Sequence, residues 1–224
     1  MAFYTIGNTS PTITYDAGAG AWNSKKTEAS MVAMKMLLIN YYAHFYTIIG
    51  DDAANHLSHY LSNTGKEYEF DLKDMINDVP TAKQIFDLEL AKAKSFVETL
   101  PPGDHEIVAS KLTQGYNYKN ENWNWFYAVG GYSVWGSGKA KILIDKSGKK
   151  AYSLDFEYNA VDRYNWDGGK SVKIFNITIT DDFMGEFHRQ GLAREYNLRD
   201  TINSTVRWGD PTVLSTLAAI NNGR

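Results

Sequence analysis

The chain has 224 residues, a formal net charge of −3 at pH 7, 43% hydrophobic residues and no cysteine. These totals indicate a folded chain with a substantial core, and they exclude disulfides, thiolate nucleophiles and zinc–thiolate sites. The slight excess of acids argues against a general nucleic-acid binder, which would be basic. The lack of cysteine is compatible with an oxidising compartment such as a periplasm.

The opening residues, 1–20, show neither the basic region nor the continuous apolar run of a signal peptide. We therefore expect another component to carry the protein if it acts outside its cell. The longest apolar stretch, 31–50, is interrupted by Lys35, Asn40 and His44. This interruption predicts a buried helix rather than a membrane span.

Residues 1–103 are predicted to be mainly helical. Apolar residues three and four positions apart predict a helix over 31–50 with one packed face. Gly50 is expected to end this helix, because glycine tolerates the positive φ of many helix ends. The apolar stripe consists of Met31, Met34, Leu38, Tyr41, Phe45 and Ile48.

Three further helices are expected in the same region. The first follows the two acids at 51–52 and stops before Gly65. The second begins at Asp71 and ends at Pro80, and the third runs to the Pro-Pro-Gly sequence at 101–103.

Residues 104–224 alternate and are rich in β-branched and aromatic residues, which predicts strands. The sequence DKSGKK at 145–150 predicts a hairpin turn. Further elements are expected at 172–180 (strand), 180–191 (short helix) and 194–208 (strand). The fold class is therefore α+β, with the helical half packed on an antiparallel, strongly bent sheet or partial barrel. We expect the two regions to form one compact domain.

A polar segment, DRYNWDGGK at 162–170, follows the alternating strand, and its spacing fits neither a calcium loop nor a P-loop. Strand ends often display reactive side chains, although a structural turn built on Asp162 and Asn165 is the alternative. His188 and Arg189, near the end of the short helix, are the predicted partners. Histidine exchanges protons near neutral pH and arginine binds phosphate. The alternative is an interaction of both cations with the helix dipole.

The stretch 117–135 concentrates aromatic residues and amides, which is typical of a sugar-binding or membrane-interface surface. Core packing is the alternative, because strands also gather tryptophan and tyrosine. On the second helix, Asp52, His56 and His59 share a face at a spacing that could hold a metal, although exposed helix faces often produce such patterns.

The segments DRYNWDGGK and HRQGLARE, with the glycine-bearing strand before them, resemble toxin-like C-terminal domains of polymorphic toxins, which are large secreted or contact-delivered bacterial proteins. This resemblance covers residues 40–205. A more distant resemblance is to colicin M-type bacteriocins, which carry Asp-x-Tyr-Asp followed shortly by His-Arg and cleave lipid II with magnesium. This sequence departs from that pattern at Asn165, where Asp167 is the nearest acid. The gap from Asp162 to His188 is also far longer.

The resemblance implies an antibacterial hydrolase that cleaves a phosphate ester or pyrophosphate in a cell-envelope precursor such as lipid II. It would act in the target-cell periplasm or at the membrane surface. The implied catalytic residues are Asp162, Tyr164, His188 and Arg189, with Mg²⁺ held by Asp162 and Asp167. The expected substrate contacts are Asn165, Trp123, Trp125, Trp135, Lys170 and Arg194.

The expected partners are the lipid-linked precursor, a cognate immunity protein and, peripherally, a membrane. No nucleic-acid partner is expected. Two alternatives to the enzyme stay open: a membrane-perturbing toxin without catalysis, and a module that binds envelope glycans.

Overall fold

The computed structural model describes residues 3–166, 171–174 and 177–222. The helices are α1 Ala29–Asn40, α2 Tyr42–Ile49, α3 Asp51–Leu61, α4 Leu72–Asp78, α5 Pro80–Glu98, α6 Trp123–Ala128, α7 Asp181–Arg189 and α8 Pro211–Asn222. The strands are β1 Tyr4–Ile6, β2 Tyr68–Glu69, β3 Gly103–Ala109, β4 Thr113–Tyr116, β5 Gly131–Ile144, β6 Lys150–Tyr164, β7 Ser171–Ile174, β8 Ile177–Thr180 and β9 Tyr196–Gly209. The predicted α+β class is confirmed.

The main sheet has seven strands in the order β1-β3-β5-β6-β9-β2, with β4 paired to β5. The sheet is mixed rather than wholly antiparallel, because β2 runs parallel to β9. Strand β2 lies between α3 and α4 and is not joined to β9 by a hairpin turn, so the two strands can run in the same direction. Within the described residues the sheet does not close into a barrel, since β1 and β2 lie at opposite ends of the order.

The central strand β6 alternates between the core and the surface. Leu154, Phe156 and Tyr158 are buried, whereas the intervening Asp155 and Glu157 are exposed. Helix α5 packs on β1, β4, β5 and β6, so it covers the apolar face of the sheet. The hairpin predicted at 145–150 joins β5 to β6.

The helix predicted over 31–50 is two helices, α1 and α2, which meet at Tyr41. Three members of the predicted stripe are buried as expected: Met31, Leu38 and Phe45. The other three members are exposed, Met34 at 36%, Tyr41 at 48% and Ile48 at 52%, and Ile49 is buried in place of Ile48. The expectation of a buried helix is therefore wrong for half of the stripe. None of the helices in the described part of the chain is long and apolar enough to cross a membrane.

The other helix ends follow local and distant signals. Asp71 caps α4 as predicted, because its carboxylate accepts the N–H of Asp74 at 2.8 Å. The cap of α3 comes from a distant side chain instead of the acids at its start, since Asn124 Oδ1 accepts the N–H of Ala53 at 2.9 Å. Pro80 is the first residue of α5, a position that needs no N–H donor.

The C-terminal elements agree with the predictions in two of three places. The short helix α7 and the long strand β9 are present. The single strand expected over 172–180 is a pair of antiparallel strands, β7 and β8. Helix α7 begins after Thr180, whose hydroxyl accepts the N–H of Phe183 at 3.1 Å, and Gly191 follows its end with a φ of +68°.

Candidate functional site

A cavity of about 230 Å³ lies at the end of β6, where the DRYNW sequence leaves the sheet. Three aspartates line it, from the N-terminal segment, from β6 and from the start of α7: Asp16, Asp162 and Asp181. Tyr164 and Asn165 line it as well. We call it the acidic cavity. It brings together three of the residues that the sequence singled out.

Tyr164 packs between two aromatic rings within this wall. Its ring stacks on Tyr196, with 5.1 Å between the ring centroids, and meets Trp166 edge-on at 5.7 Å. Burial raises the pKa of the Tyr164 hydroxyl. The hydroxyl is therefore protonated at neutral pH and can donate a hydrogen bond but not act as a base.

Three buried donor atoms around the acidic cavity have no hydrogen-bond partner within the described part of the chain: Tyr127 Oη, Arg163 Nε and Trp166 Nε1. A buried donor without an acceptor costs about 1–3 kcal/mol. Such groups mark a place where a ligand oxygen would be favourable. The wall therefore combines carboxylates with unsatisfied donors.

The predicted magnesium ligands are Asp162 and Asp167, and Asp167, like Lys170, lies outside the described residues. Carboxylate oxygens are the ligands that Mg²⁺ prefers. However, no group of three or more His, Asp or Glu side chains among the described residues is placed to hold a metal ion. The described carboxylates alone do not form a magnesium site.

The histidines of α3 are part of the aromatic core rather than a metal site in the described structure. His56 is buried among the rings of three tyrosines: Tyr68, Tyr164 and Tyr196. Burial lowers its pKa to about 4. The His59 ring nitrogen Nε2 is 2.9 Å from the Lys66 carbonyl oxygen.

A second cavity, of about 450 Å³, is lined by His188, Arg194 and Glu195 among others. We call it the histidine cavity. Arg163 lines both cavities. Asp162 and His188, the predicted catalytic pair, thus line different cavities, with Arg163 as the lining residue that the two share.

Both ring nitrogens of His188 are engaged by the backbone. Nδ1 accepts the N–H of Glu195 at 3.1 Å, and Nε2 lies 3.1 Å from the carbonyl oxygen of Gly20. An acceptor at Nδ1 and a donor at Nε2 define the neutral ring protonated on Nε2. Burial lowers the pKa of His188, which favours the same neutral form.

Arg189 is also bound within the chain. Its Nε donates to Glu186 Oε1 at 2.9 Å, and its two terminal nitrogens donate to the carbonyl oxygens of Ala19 and Asp182 at 3.1 and 3.0 Å. The guanidinium therefore fastens the N-terminal segment to α7. Any role in binding substrate requires at least one of these contacts to be exchanged.

Glu195 is the residue that the sequence analysis missed. Its side chain is fully buried, and its Oε1 accepts the N–H groups of Ala19 and Trp166 at 2.8 and 2.9 Å. Its Oε2 pairs with Arg163 at 3.2 Å and lies 3.9 Å from His188 Nε2. The only signal for Glu195 in the sequence is its position at the end of HRQGLARE. Through these contacts Glu195 joins HRQGLARE to DRYNW.

The predicted substrate-binding tryptophans lie in different environments. Trp125 is fully buried in α6 and donates to Asp78 at 3.0 Å, and Trp135 is 5% exposed. Core packing, the alternative considered for this stretch, accounts for both. Trp123 is 54% exposed, with Lys119 Nζ 4.1 Å from its ring centroid.

Arg194, the remaining predicted substrate contact, stacks on an aromatic ring from the N-terminal segment. Its guanidinium carbon lies 4.7 Å from the centroid of the Trp22 ring. Both residues line the histidine cavity.

No protein-family model and no curated protein matches this chain by sequence. Among solved structures, PaeM, a colicin M-like bacteriocin of Pseudomonas aeruginosa, is 15% identical with a TM-score of 0.38, over 71% of this chain and 52% of that one. Truncated syringacin M, a bacteriocin of Pseudomonas syringae pv. tomato DC3000, is 14% identical with a TM-score of 0.35, over 70% and 60%. Pectocin M2 is 11% identical with a TM-score of 0.31, over 82% and 65%.

The match covers less than two thirds of the length of each of these structures. They include a colicin M-like bacteriocin, the kind of protein that the sequence distantly resembles, and none of the three is described as a polymorphic-toxin domain. At such identities and TM-scores the similarity carries no conclusion about the activity of this chain.

Proposed function

We propose that the chain is an antibacterial toxin domain that hydrolyses a phosphate ester or pyrophosphate in a lipid-linked cell-envelope precursor such as lipid II. One observation supports this most: the two segments singled out in the sequence meet through Glu195, which binds Trp166 N–H at 2.9 Å and Arg163 at 3.2 Å. The aspartate–tyrosine end of β6 is thereby joined to the histidine–arginine end of α7.

In the proposed reaction, Asp162 orients a water molecule and accepts its proton as the water oxygen bonds to phosphorus. The bond from phosphorus to the leaving oxygen breaks while His188 donates a hydrogen bond from Nε2 to that oxygen. The proton taken up by Asp162 then passes through water to the leaving oxygen, which restores the Asp162 carboxylate. Tyr164 and Arg189 donate to the phosphoryl oxygens, where negative charge increases in the transition state. The unsatisfied donors around the acidic cavity favour an anionic ligand of this kind.

Magnesium, a cognate immunity protein, delivery from the producing cell and action in the target-cell periplasm belong to the same proposal. None of the steps above depends on the metal. An immunity protein is expected because a producing cell must protect its own envelope precursor.

The direct test is incubation with labelled lipid II, with and without magnesium, followed by separation of the lipid from the phosphate-bearing headgroup. Asp162→Asn should lower cleavage at least about 100-fold, the usual size of a lost general base. Asp155→Asn is the matched control, because Asp155 is an exposed aspartate on the same strand. Absence of cleavage by the unaltered protein, or full cleavage by Asp162→Asn, would contradict the proposal.

A second candidate is a toxin that perturbs membranes without catalysis. It is favoured by large apolar side chains on α1 and α2 that face solvent, including Met36 at 59%, Ile39 at 46% and Ile48 at 52% exposure. Lys35 is the only lysine, arginine or acid between residues 29 and 49. This candidate predicts dye leakage from precursor-free lipid vesicles that Asp162→Asn does not reduce. Intact vesicles would exclude it.

A further inference from the structure

The N-terminal segment 16–28, which we call the strap, crosses α7 and the residues after it. The N–H groups of Asn23 and Lys25 donate to the carbonyl oxygens of His188 and Arg189 at 3.1 and 2.8 Å. Further along, the N–H of Glu28 donates to the Gln190 side chain at 2.9 Å. The strap is therefore fixed to α7 through its own backbone.

Oxygen atoms of the strap occupy the donors of the candidate site. Three predicted site residues are bound in this way: His188 by Gly20 O at 3.1 Å, Arg189 by Ala19 O at 3.1 Å, and Asn165 by the Asp16 carboxylate. A phosphate-bearing substrate would offer oxygen atoms to the same donors. The strap thus takes the place of a ligand at these positions.

The strap also borders both cavities. Asp16 lines the acidic cavity, and Gly20 and Trp22 line the histidine cavity. Arg163 is common to both. Removal of the strap would take away one wall of each cavity and uncover the donors between them.

We propose that the strap is an internal inhibitor, which fills an anion-binding site and must lift before a phosphate-bearing ligand binds. The identity of that ligand as an envelope precursor rests on the proposed function, whereas the anion site rests on the strap contacts alone. Lifting exchanges the strap oxygens on His188 and Arg189 for ligand oxygens. It also allows Asp162 and His188 to face one ligand.

Two glycines of the strap provide a matched pair of variants. Gly18 has a φ of +57°, and a Cβ atom there would overlap the Glu195 carboxylate. Gly20 has a φ of +98° with nothing within 4 Å of an added Cβ. Gly20→Ala adds backbone strain alone, which is larger at +98° than at +57°, whereas Gly18→Ala adds a clash with the Glu195 carboxylate that we expect to displace the strap.

The first measurement is hydrogen exchange of the Asn23 and Lys25 amides, with global unfolding measured alongside. We expect exchange at least about 10-fold faster in Gly18→Ala than in Gly20→Ala, since local opening sets the rate. Equal exchange in the two variants would overturn the strap as a unit that lifts.

The second measurement is calorimetric titration with inorganic pyrophosphate. Gly18→Ala should bind it at least about 10-fold more tightly than Gly20→Ala, because the open fraction limits apparent affinity. Adding Arg189→Ala to Gly18→Ala should abolish that gain. Equal affinity in the two glycine variants would overturn the proposal. Tighter binding without cleavage of labelled lipid II would uphold the strap and contradict the proposed hydrolysis.

A reversible lock gives an independent test, because the chain has no cysteine of its own. A Cβ atom at Gly185 would lie 2.9 Å from the Ala19 Cβ, so a small shift reaches the roughly 3.5–4.5 Å of a disulfide. The double variant Ala19→Cys, Gly185→Cys should bind pyrophosphate at least about 10-fold more weakly when oxidised than when reduced. Identical binding in both redox states would contradict a strap that must lift.

Discussion

The two segments that form the candidate site differ in how far their polar side chains are bound by other parts of the chain. In the first, at the end of β6, Asp162 and Tyr164 line a cavity. In the second, at the end of α7, the side chains of His188 and Arg189 are bound to strap oxygens. A polar side chain in a candidate motif can therefore bind a ligand, stabilise the fold through contacts within the chain, or do each in a different state of the protein.

Glu195 makes this difference measurable. Its buried carboxylate binds the strap at Ala19, the residue Trp166 after β6, and Arg163, and loss of that carboxylate would leave Arg163 without its partner. Breaking a buried ion pair costs about 3–5 kcal/mol, and we expect Glu195→Ala to lose about 3 kcal/mol because Arg163 is partly exposed. Urea unfolding measures this loss. An unchanged urea midpoint for Glu195→Ala would contradict a structural role for Glu195 in the second segment.

Acid should lower the stability of the fold around the first segment by protonating His56, whose ring packs against Tyr164. Its pKa is lowered from 6.5 to about 4 by burial. The unfolded chain therefore binds a proton before the folded one does, so this contribution is complete above pH 6.5 and is lost as pH falls toward 4. The loss amounts to about 1.4 kcal/mol per pH unit.

His56→Phe is the control for that pH dependence. It keeps a ring of similar size and removes the titrating group, so the unfolding free energy should vary less between pH 6.5 and 4. Parallel pH profiles for the two proteins would show that His56 is not the group responsible.

Asp162→Asn should change stability by less than about 1 kcal/mol, because the substitution keeps size and shape at a partly buried position. Thermal unfolding measures this. A large loss of unfolding free energy would show that Asp162, like Glu195, stabilises the fold. The two segments would then not differ in this respect.

The smallest effect is expected at the surface of the strap. Lys25 pairs with Glu186 at 2.6 Å, but the lysine side chain is 53% exposed. Exposed pairs contribute about 0–1 kcal/mol, so Lys25→Ala should change unfolding and exchange of the strap amides very little. A marked acceleration of that exchange would show that charge, rather than the backbone contacts, holds the strap.

The sequence predicted the features that depend on neighbouring residues. The cap at Asp71, the hairpin at 145–150 and the start of α7 after Thr180 follow from local turn and cap chemistry. The break at Tyr41 was not predicted, because the apolar spacing continues through it. The helix α6 was missed since its aromatic residues also fit a strand.

The features that determine the candidate site depend on residues far apart in the chain. The parallel pairing of β2 with β9, the cap of α3 by Asn124 and the burial of Glu195 all require the folded chain. Periodicity and motif spacing contain no information on such contacts. Candidate site residues could therefore be chosen by residue type, whereas the strap contacts to them could not be predicted.

The strap has a consequence for the order in which the molecule forms. Gly20 and His188, which it joins, are 168 positions apart, whereas β5 and β6 are joined by a short turn. Contacts between distant positions form late, because the entropy of closing the loop must be overcome first. On a ribosome the strap is synthesised before almost everything it touches. We therefore expect the β5–β6 hairpin to pair before the strap closes over the residues that it binds.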